Sequence, residues 1–381
     1  MNYESILTQL DEHNEVGIIL CKKYKAKKLF IIVDKNEEQK FKLLQNSYKE
    51  ILPNCIVKRI DIDIGNREAL VKLLDENKEC NLLINLTGGA RINSLFLLKE
   101  ADIRSIDSIY VDLLNKKSYF FKRDSEIVYE DFEDLSIEEV TKIAGAGIIN
   151  DSNYLFSKKD VIDISQKIVT NIDLWEKYKN KLYDTKIFCH DYKESSTVEV
   201  NLYELNEEEI NILNKVVNYI KNLGSIDYFK NKNKMIIKFK NNYLKGFIFK
   251  SGTWLEVITK LIIEEIRDID EVKSGVEFYW RSDDKLVKNE LDVVAVKDSI
   301  LLCISCKDSD KYDENALNEL EVYSDKIGGE NVIKILVSTK DPIKKTVIKR
   351  AKEMNINLVV LNNNLNEFRE KLRVIVNGIK K

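Results

Sequence analysis

Glu290 and Asp292 stand two residues apart, and a second short segment, Ser305-Cys306-Lys307, follows at a spacing that suits the next β-strand. Residues two apart on a strand point to one face, so Glu290 is expected to project with Asp292, and Ser305 with Lys307. If the two strands form a hairpin, Asp292 and Lys307 converge. That set suits phosphodiester hydrolysis, in which carboxylates hold a hard divalent cation and a lysine stands near the attacking water or the charged transition state. Glu256, on a preceding helix, can complete the acidic cluster. A different chemistry is written near the other end, in Asn85-Leu-Thr-Gly-Gly-Ala-Arg91. Gly88 and Gly89 let a backbone approach a ligand, Thr87 offers a hydroxyl and Arg91 a forked cation, and the free amides of a helix beginning near Ile92 attract phosphate.

The elements that must position these groups can be read from apolar runs. In the first part of the chain, strands at Ile6–Leu10, Leu29–Val33, Cys55–Ile62, Leu82–Leu86 and Ile106–Val111 alternate with helical patterns near 15–25, 37–51, 66–78 and 92–102. This spacing indicates a parallel, doubly wound α/β sheet. With strand order 3-2-1-4-5, the first and fourth strands meet where the order reverses, and ligands bind outside their carboxyl ends. Thr87 to Arg91 follow the fourth strand, and Asp11-Glu12-His13-Asn14 follow the first. A dinucleotide cofactor is disfavoured, because the loop after the first strand has no glycine until Gly17.

Towards the C-terminus a helix is expected from Thr253 to Ile266. Strands follow at Val276–Trp280, Leu291–Val296 and Ile300–Ser305, then a helix near 313–327, a strand at Val332–Val337 and a helix from Pro342. The middle carries helical stretches around 159–182 and 206–223, with strand candidates at Thr197–Tyr203 and Met235–Phe249. These patterns divide the chain at 1–140, 141–250 and 251–381. In the middle, Lys230, Lys232, Lys234, Lys238 and Lys240 alternate with aromatics and no acidic residue. This is either a nucleic-acid track or a hairpin with its lysines in solvent.

Composition narrows the classes. Of 381 residues 33% are charged, with a net charge of only −3, so any nucleic-acid binding must concentrate its lysines locally. Apolar runs fall far short of the roughly 18 residues that span a bilayer. Six scattered cysteines fit reduced thiols, and a cytoplasmic location is expected. Only two histidines occur, His13 and His190, which leaves none for catalysis in the C-terminal third.

The Asn-x-Thr-Gly-Gly-small-basic segment after the fourth strand resembles the CARF domain, the cyclic-oligoadenylate sensor of type III CRISPR defence. The resemblance implies a homodimer with the ring-shaped ligand lying across both copies. It assigns Thr87, Gly88, Gly89, Ala90, Arg91 and Asn93 as ligand contacts, with Asp11, Glu12, His13 and Asn14 across the crevice. Ala90 departs from the pattern, where a small hydroxyl residue is common. The C-terminal αβββαβ order, Gly252-Thr-Trp-Leu-Glu256 and Asn289-Glu-Leu-Asp292 resemble the PD-(D/E)XK nucleases linked to CARF domains. This implies a restriction-endonuclease-like fold and a Mg²⁺- or Mn²⁺-dependent nuclease acting on DNA, RNA or both. It assigns Glu256, Glu290, Asp292, Ser305 and Lys307 to the catalytic site, with Asp292, Glu290 and Glu256 as metal ligands. Ser305 stands where that family carries a second acid. Either Glu290 or Glu256 replaces it, or the domain is catalytically weak. Two other readings remain open: a nucleotide-regulated binding module without cleavage, and an enzyme degrading its nucleotide in the N-terminal crevice.

Overall fold

The structure is a computed structural model. It describes residues 3–378 apart from 12–13, 35–36, 63–66, 78–80, 122–125, 130–131, 191–193, 251 and 283–284. The first unit runs β1 (Ser5–Gln9), α1 (Glu15–Tyr24), β2 (Lys28–Val33), α2 (Glu38–Ile51), β3 (Ile56–Asp61), α3 (Arg67–Asn77), β4 (Leu82–Asn85), α4 (Arg91–Ile103), β5 (Asp107–Asp112), β6 (Lys117–Phe121) and β7 (Glu126–Tyr129). Its sheet order is β3-β2-β1-β4-β5-β6-β7, parallel through β5 and antiparallel beyond. The central strands β1, β2 and β4 are short and buried on both faces because helices cover both. Ile6, Leu29 and Ile31 pack with α1 and α2, whereas Leu7, Ile32 and Ile84 pack with Leu70 and Leu74 of α3 and Leu97 of α4.

The middle of the chain is more ordered than a linker. It comprises α5 (Ile137–Ile143), β8 (Ala146–Asn150), α6 (Asn153–Phe156), α7 (Lys159–Val169), α8 (Ile172–Tyr178), β9 (Phe188–His190), β10 (Thr197–Asn201), α9 (Glu207–Asn222), β11 (Ile226–Lys230), β12 (Lys234–Phe239) and α10 (Asn242–Phe249). Strands β9 to β12 form a sheet of order β11-β12-β10-β9. The long strand expected over Met235–Phe249 ends at Phe239. Asn241 caps a helix there, its side chain accepting from the Leu244 amide.

The last unit contains α11 (Thr253–Glu264), β13 (Glu271–Ser282), β14 (Lys285–Lys297), β15 (Ile300–Lys307), α12 (Glu314–Gly328), β16 (Ile333–Ser338), α13 (Lys345–Glu353), β17 (Ile356–Val360) and α14 (Leu365–Asn377). Its six-stranded sheet, β17-β16-β15-β14-β13-β8, takes its outermost strand from residues 146–150.

Hydrophobic cores cross the unit boundaries. One joins Ile6 and Leu29 to Phe278, Val294 and Leu301 through Ile137, Val140 and Ile143 of α5. A second joins Val198, Met235 and Phe239 of the middle sheet to Leu255 and Ile258 of α11 and to Ile304. Displacing one unit therefore costs apolar burial against its neighbours. Among the described residues no helix is long and apolar enough to cross a membrane.

Candidate nuclease site and sensor crevice

Antiparallel pairing of β14 with β15 puts Val293 opposite Ile304, so Asp292 and Ser305 meet one step further on. The Asp292 Oδ2 accepts from the Cys306 amide at 2.6 Å and from Ser305 Oγ at 3.2 Å. Strand alternation breaks at this residue. Leu291 and Val294 enter one core while Val293 and Ala295 enter the other. Across from the break, between the pairs Ser274–Val293 and Val276–Leu291, lies Gly275 with φ +54°. A side chain at Gly275 would meet Ser152 Oγ at 2.4 Å, so glycine is required there.

Helix α11 presents Glu256 to the same place. Glu256 is 8% exposed, and burial pushes its carboxyl up to about 8, with Asp292 and Glu290 adding repulsion that Lys250 and Lys307 offset. Asp292, Glu290, Lys250 and Lys307 therefore lie within electrostatic reach of Glu256, and Ser305 touches Asp292 directly. Glu290 is exposed there, opposite Glu277 of β13, whereas Glu256 is buried. Lys250, the residue that follows α10, is near enough to Glu256 to lower its carboxyl.

Whether a divalent cation fits is decided by the donors. Among the described residues no three acidic, histidine or cysteine side chains gather into a cage. Mg²⁺ does not need one, since it is held by one or two carboxylates with water and substrate phosphate supplying the rest. Glu256 and Asp292 would offer an all-oxygen pair of that kind; burial first, and Asp292 next, raise the Glu256 carboxyl, so a cation there would favour its ionised form.

At the sensor crevice, Asp11, at the end of β1, accepts the Gly89 amide on Oδ2 at 2.7 Å. Asn14 closes the Asp11 loop, donating to the Asp11 carbonyl and accepting its amide. Thr87 Oγ1 accepts from the Val111 amide at 2.9 Å and keeps its proton for another partner. Gly89 adopts φ +85°, and a Cβ there would strike Gln9 Oε1 at 2.5 Å. Ala90, Arg91 and Asn93 open α4, whose first residue has no side-chain cap. The Asn93 and Ser94 amides donate to the Ala90 carbonyl, and the positive end of the helix still favours an anion beside its first residues. Glu12 and His13 lie outside the described residues. Gln9 and Thr8 were not singled out by sequence, and Asn85 only as the start of the Thr-Gly-Gly segment; all three line this end of the sheet. Asn85 donates to Thr8 Oγ1, and Gln9 donates to Ser94 of α4.

The basic residues of the β11–β12 hairpin do not join either site through a contact. Lys234 pairs with Glu199 at 2.6 Å, Lys230 donates to Asn214, and Lys240 faces Asp227 at 3.9 Å. Lys232 and Lys238 are exposed.

Residues 245–377 match the family model of the Card1-like endonuclease domain. A search of curated proteins finds no match. Among solved structures, protein VC1899 from Vibrio cholerae shares the fold at 18% identity and TM-score 0.80, over 98% of both chains. Can2 from Sulfobacillus thermosulfidooxidans, solved in complex with cyclic tetra-adenylate, does so at 15% identity and TM-score 0.71, over 97% of this chain and 96% of its own. A type III CRISPR defence DNA nuclease activated by cyclic oligoadenylate aligns with 95% of this chain and 49% of its own length, at 12% identity and TM-score 0.52. The C-terminal third thus matches a Card1-like endonuclease model, and the whole chain shares its two-part fold with VC1899 and with Can2.

Proposed function

We propose that this protein is a cyclic-oligoadenylate-activated nuclease of type III CRISPR defence that cleaves DNA, RNA or both. The observation that carries the reading is the electrostatic coupling of Glu256 to Asp292 and Lys307 within residues matched by the Card1-like endonuclease model. Asp292 and Glu256 hold the divalent cation, Mg²⁺ or Mn²⁺, and Glu256 supplies the charge that Ser305 lacks. Once bound, the cation supplies charge neutralisation and an activated water. Ser305 and the Cys306 amide orient the Asp292 carboxylate. Lys307 neutralises charge developing on the scissile phosphate.

In the sensor, the Gly88–Gly89 loop, the α4 amides and Arg91 receive the phosphates of the activator, and cyclic tetra-adenylate is the first choice because Can2 was solved with it. The active form is a homodimer. Ile92, Leu95 and Phe96 of α4 are 57%, 62% and 41% exposed beside the ligand loop, and a second copy covering them would place two loops around one ring. Activation requires the ring to prefer one arrangement of the dimer over another.

The test is cleavage of labelled DNA and RNA oligonucleotides with and without cyclic tetra-adenylate, in Mg²⁺ and in Mn²⁺. Ligand- and metal-dependent products that vanish in Asp292→Ala and Lys307→Ala support the reading. Ser305 favours one rival, a regulated nucleic-acid-binding module, which predicts activator-dependent oligonucleotide binding with no products under any condition.

A further inference from the structure

The residue after Lys307 is held by two distant parts of the chain. Asp308 is 8% exposed. Its Oδ2 accepts from the indole N–H groups of Trp254 and Trp175, each at 2.9 Å, and its Oδ1 accepts from Lys179 Nζ at 2.7 Å. Lys179 Nζ also reaches the Asp308 carbonyl at 2.9 Å. Trp254 belongs to α11, two residues before Glu256; Trp175 lies on α8, and Lys179 opens the 3-10 turn that follows it. The two indoles meet edge to face with centroids 6.1 Å apart. Glu176 completes the assembly, pairing with Lys179 at 2.7 Å and with Lys340, beyond β16, at 2.6 Å.

A buried carboxylate needs this many donors merely to be tolerated, and a buried ion pair is weak evidence for stability. Its placement is the informative feature. Lys307 is the last residue of β15, and its pairing with Ser338 ends the ladder with β16. Beyond that point the Thr339 amide donates to the Lys307 carbonyl at 3.1 Å, and the Asp308 side chain is held on one side by Trp254 of α11 and on the other by Trp175 and Lys179 of the middle unit. We propose that Asp308 is a positioning residue that makes the placement of Lys307 depend on the docking of α8 and the Lys179 turn against the catalytic unit. Helix α11 enters the same carboxylate through Trp254, so a shift of the middle unit moves Lys307 relative to Glu256. The inference rests on the nuclease reading above and names a route by which the middle unit regulates that site.

The test uses the full chain with Trp175→Phe, which keeps the ring and deletes one donor, and Lys179→Met, with Lys179→Arg as the conservative variant. Neither residue belongs to the catalytic set. Turnover of fluorophore-labelled DNA and RNA oligonucleotides is measured with cyclic tetra-adenylate, alongside melting temperature and hydrogen exchange of the segment around residues 305–309. The expected result is a fall in kcat of about tenfold for Trp175→Phe and more for Lys179→Met, because misplacement by about 1 Å is enough for such losses. KM for the oligonucleotide and affinity for the activator stay within about twofold. Exchange at 305–309 rises, and Lys179→Arg recovers much of the rate. Unchanged kcat per folded molecule together with unchanged exchange overturns the proposal, even if the melting temperature falls. If the wild-type protein cuts neither oligonucleotide, the nuclease reading fails, and the exchange result alone decides whether Asp308 couples the middle unit to β15.

Discussion

Replacing Glu256 with glutamine is expected to make the metal-free protein more stable at alkaline pH while abolishing cleavage. The ordinary value for a glutamate is 4.5, and burial beside Asp292 and Glu290 holds this one at about 8. Between those values the folded protein binds a proton that the unfolded chain releases, so stability falls as pH rises from 4.5 to 8 and stays low above it. About 3.5 pH units at about 1.4 kcal/mol each gives a ceiling of about 5 kcal/mol at pH above 8. Glutamine fills nearly the same volume and carries no charge at any pH. In thermal unfolding with a chelator, Glu256→Gln should match wild type near pH 4.5. At pH 8.5 it should melt on the order of 5–10 °C higher, at about 2 °C per kcal/mol. Excess Mg²⁺ should narrow the gap by stabilising wild type more than the variant. A variant that melts at or below wild type at pH 8.5, with no dependence on pH, would refute the placement of Glu256 in a cluster of uncompensated negative charge.

Asp292→Ala and Lys307→Ala should each lower metal-dependent cleavage by about 10²–10⁴-fold and leave calorimetric binding of cyclic tetra-adenylate unchanged. Gly89→Ala must relieve both a positive φ and a clash with Gln9; activator affinity should fall at least about tenfold by calorimetry, with cleavage lost in proportion. Lys116 of the sensor pairs with Asp298 of the β14–β15 turn at 2.5 Å, beside Asp134, which burial and then Asp270 and Asp298 raise to about 6. Lys116→Met leaves those acids facing one another. Its melting temperature should therefore fall at pH 8, where they are ionised, and recover towards wild type near pH 5.

The N-terminal sheet was legible because its parallel strands are short apolar runs and its helices separate amphipathic stretches, so local pattern and final topology agree. Leu82–Asn85 and the Thr-Gly-Gly loop after it show this directly. The break lost inside Met235–Phe249 had a local signal, the Asn241 cap, masked by a continuous β-favouring run of Ile, Phe and Tyr. Strand β8 had none. Five residues, Ala146–Asn150, find their partner more than a hundred residues later in β13, and such pairing leaves no trace in spacing. In the nuclease site, Asp292 and Lys307 were readable from their strands. The burial that separates Glu256 from exposed Glu290 was not, because it depends on how α11 packs against the sheet. Asp308, Trp175 and Lys179 belong to no motif and meet only in three dimensions.

The outermost strand of the C-terminal sheet has a practical consequence for dissecting the protein. A fragment beginning at residue 245 or 251 would lack β8 and expose the backbone amides and carbonyls of β13 from Glu277 to Trp280. Bare strand borders recruit other chains. An inert or aggregated catalytic fragment would then report a missing border rather than a missing activator, and a fragment starting before Ile137 is the fairer comparison.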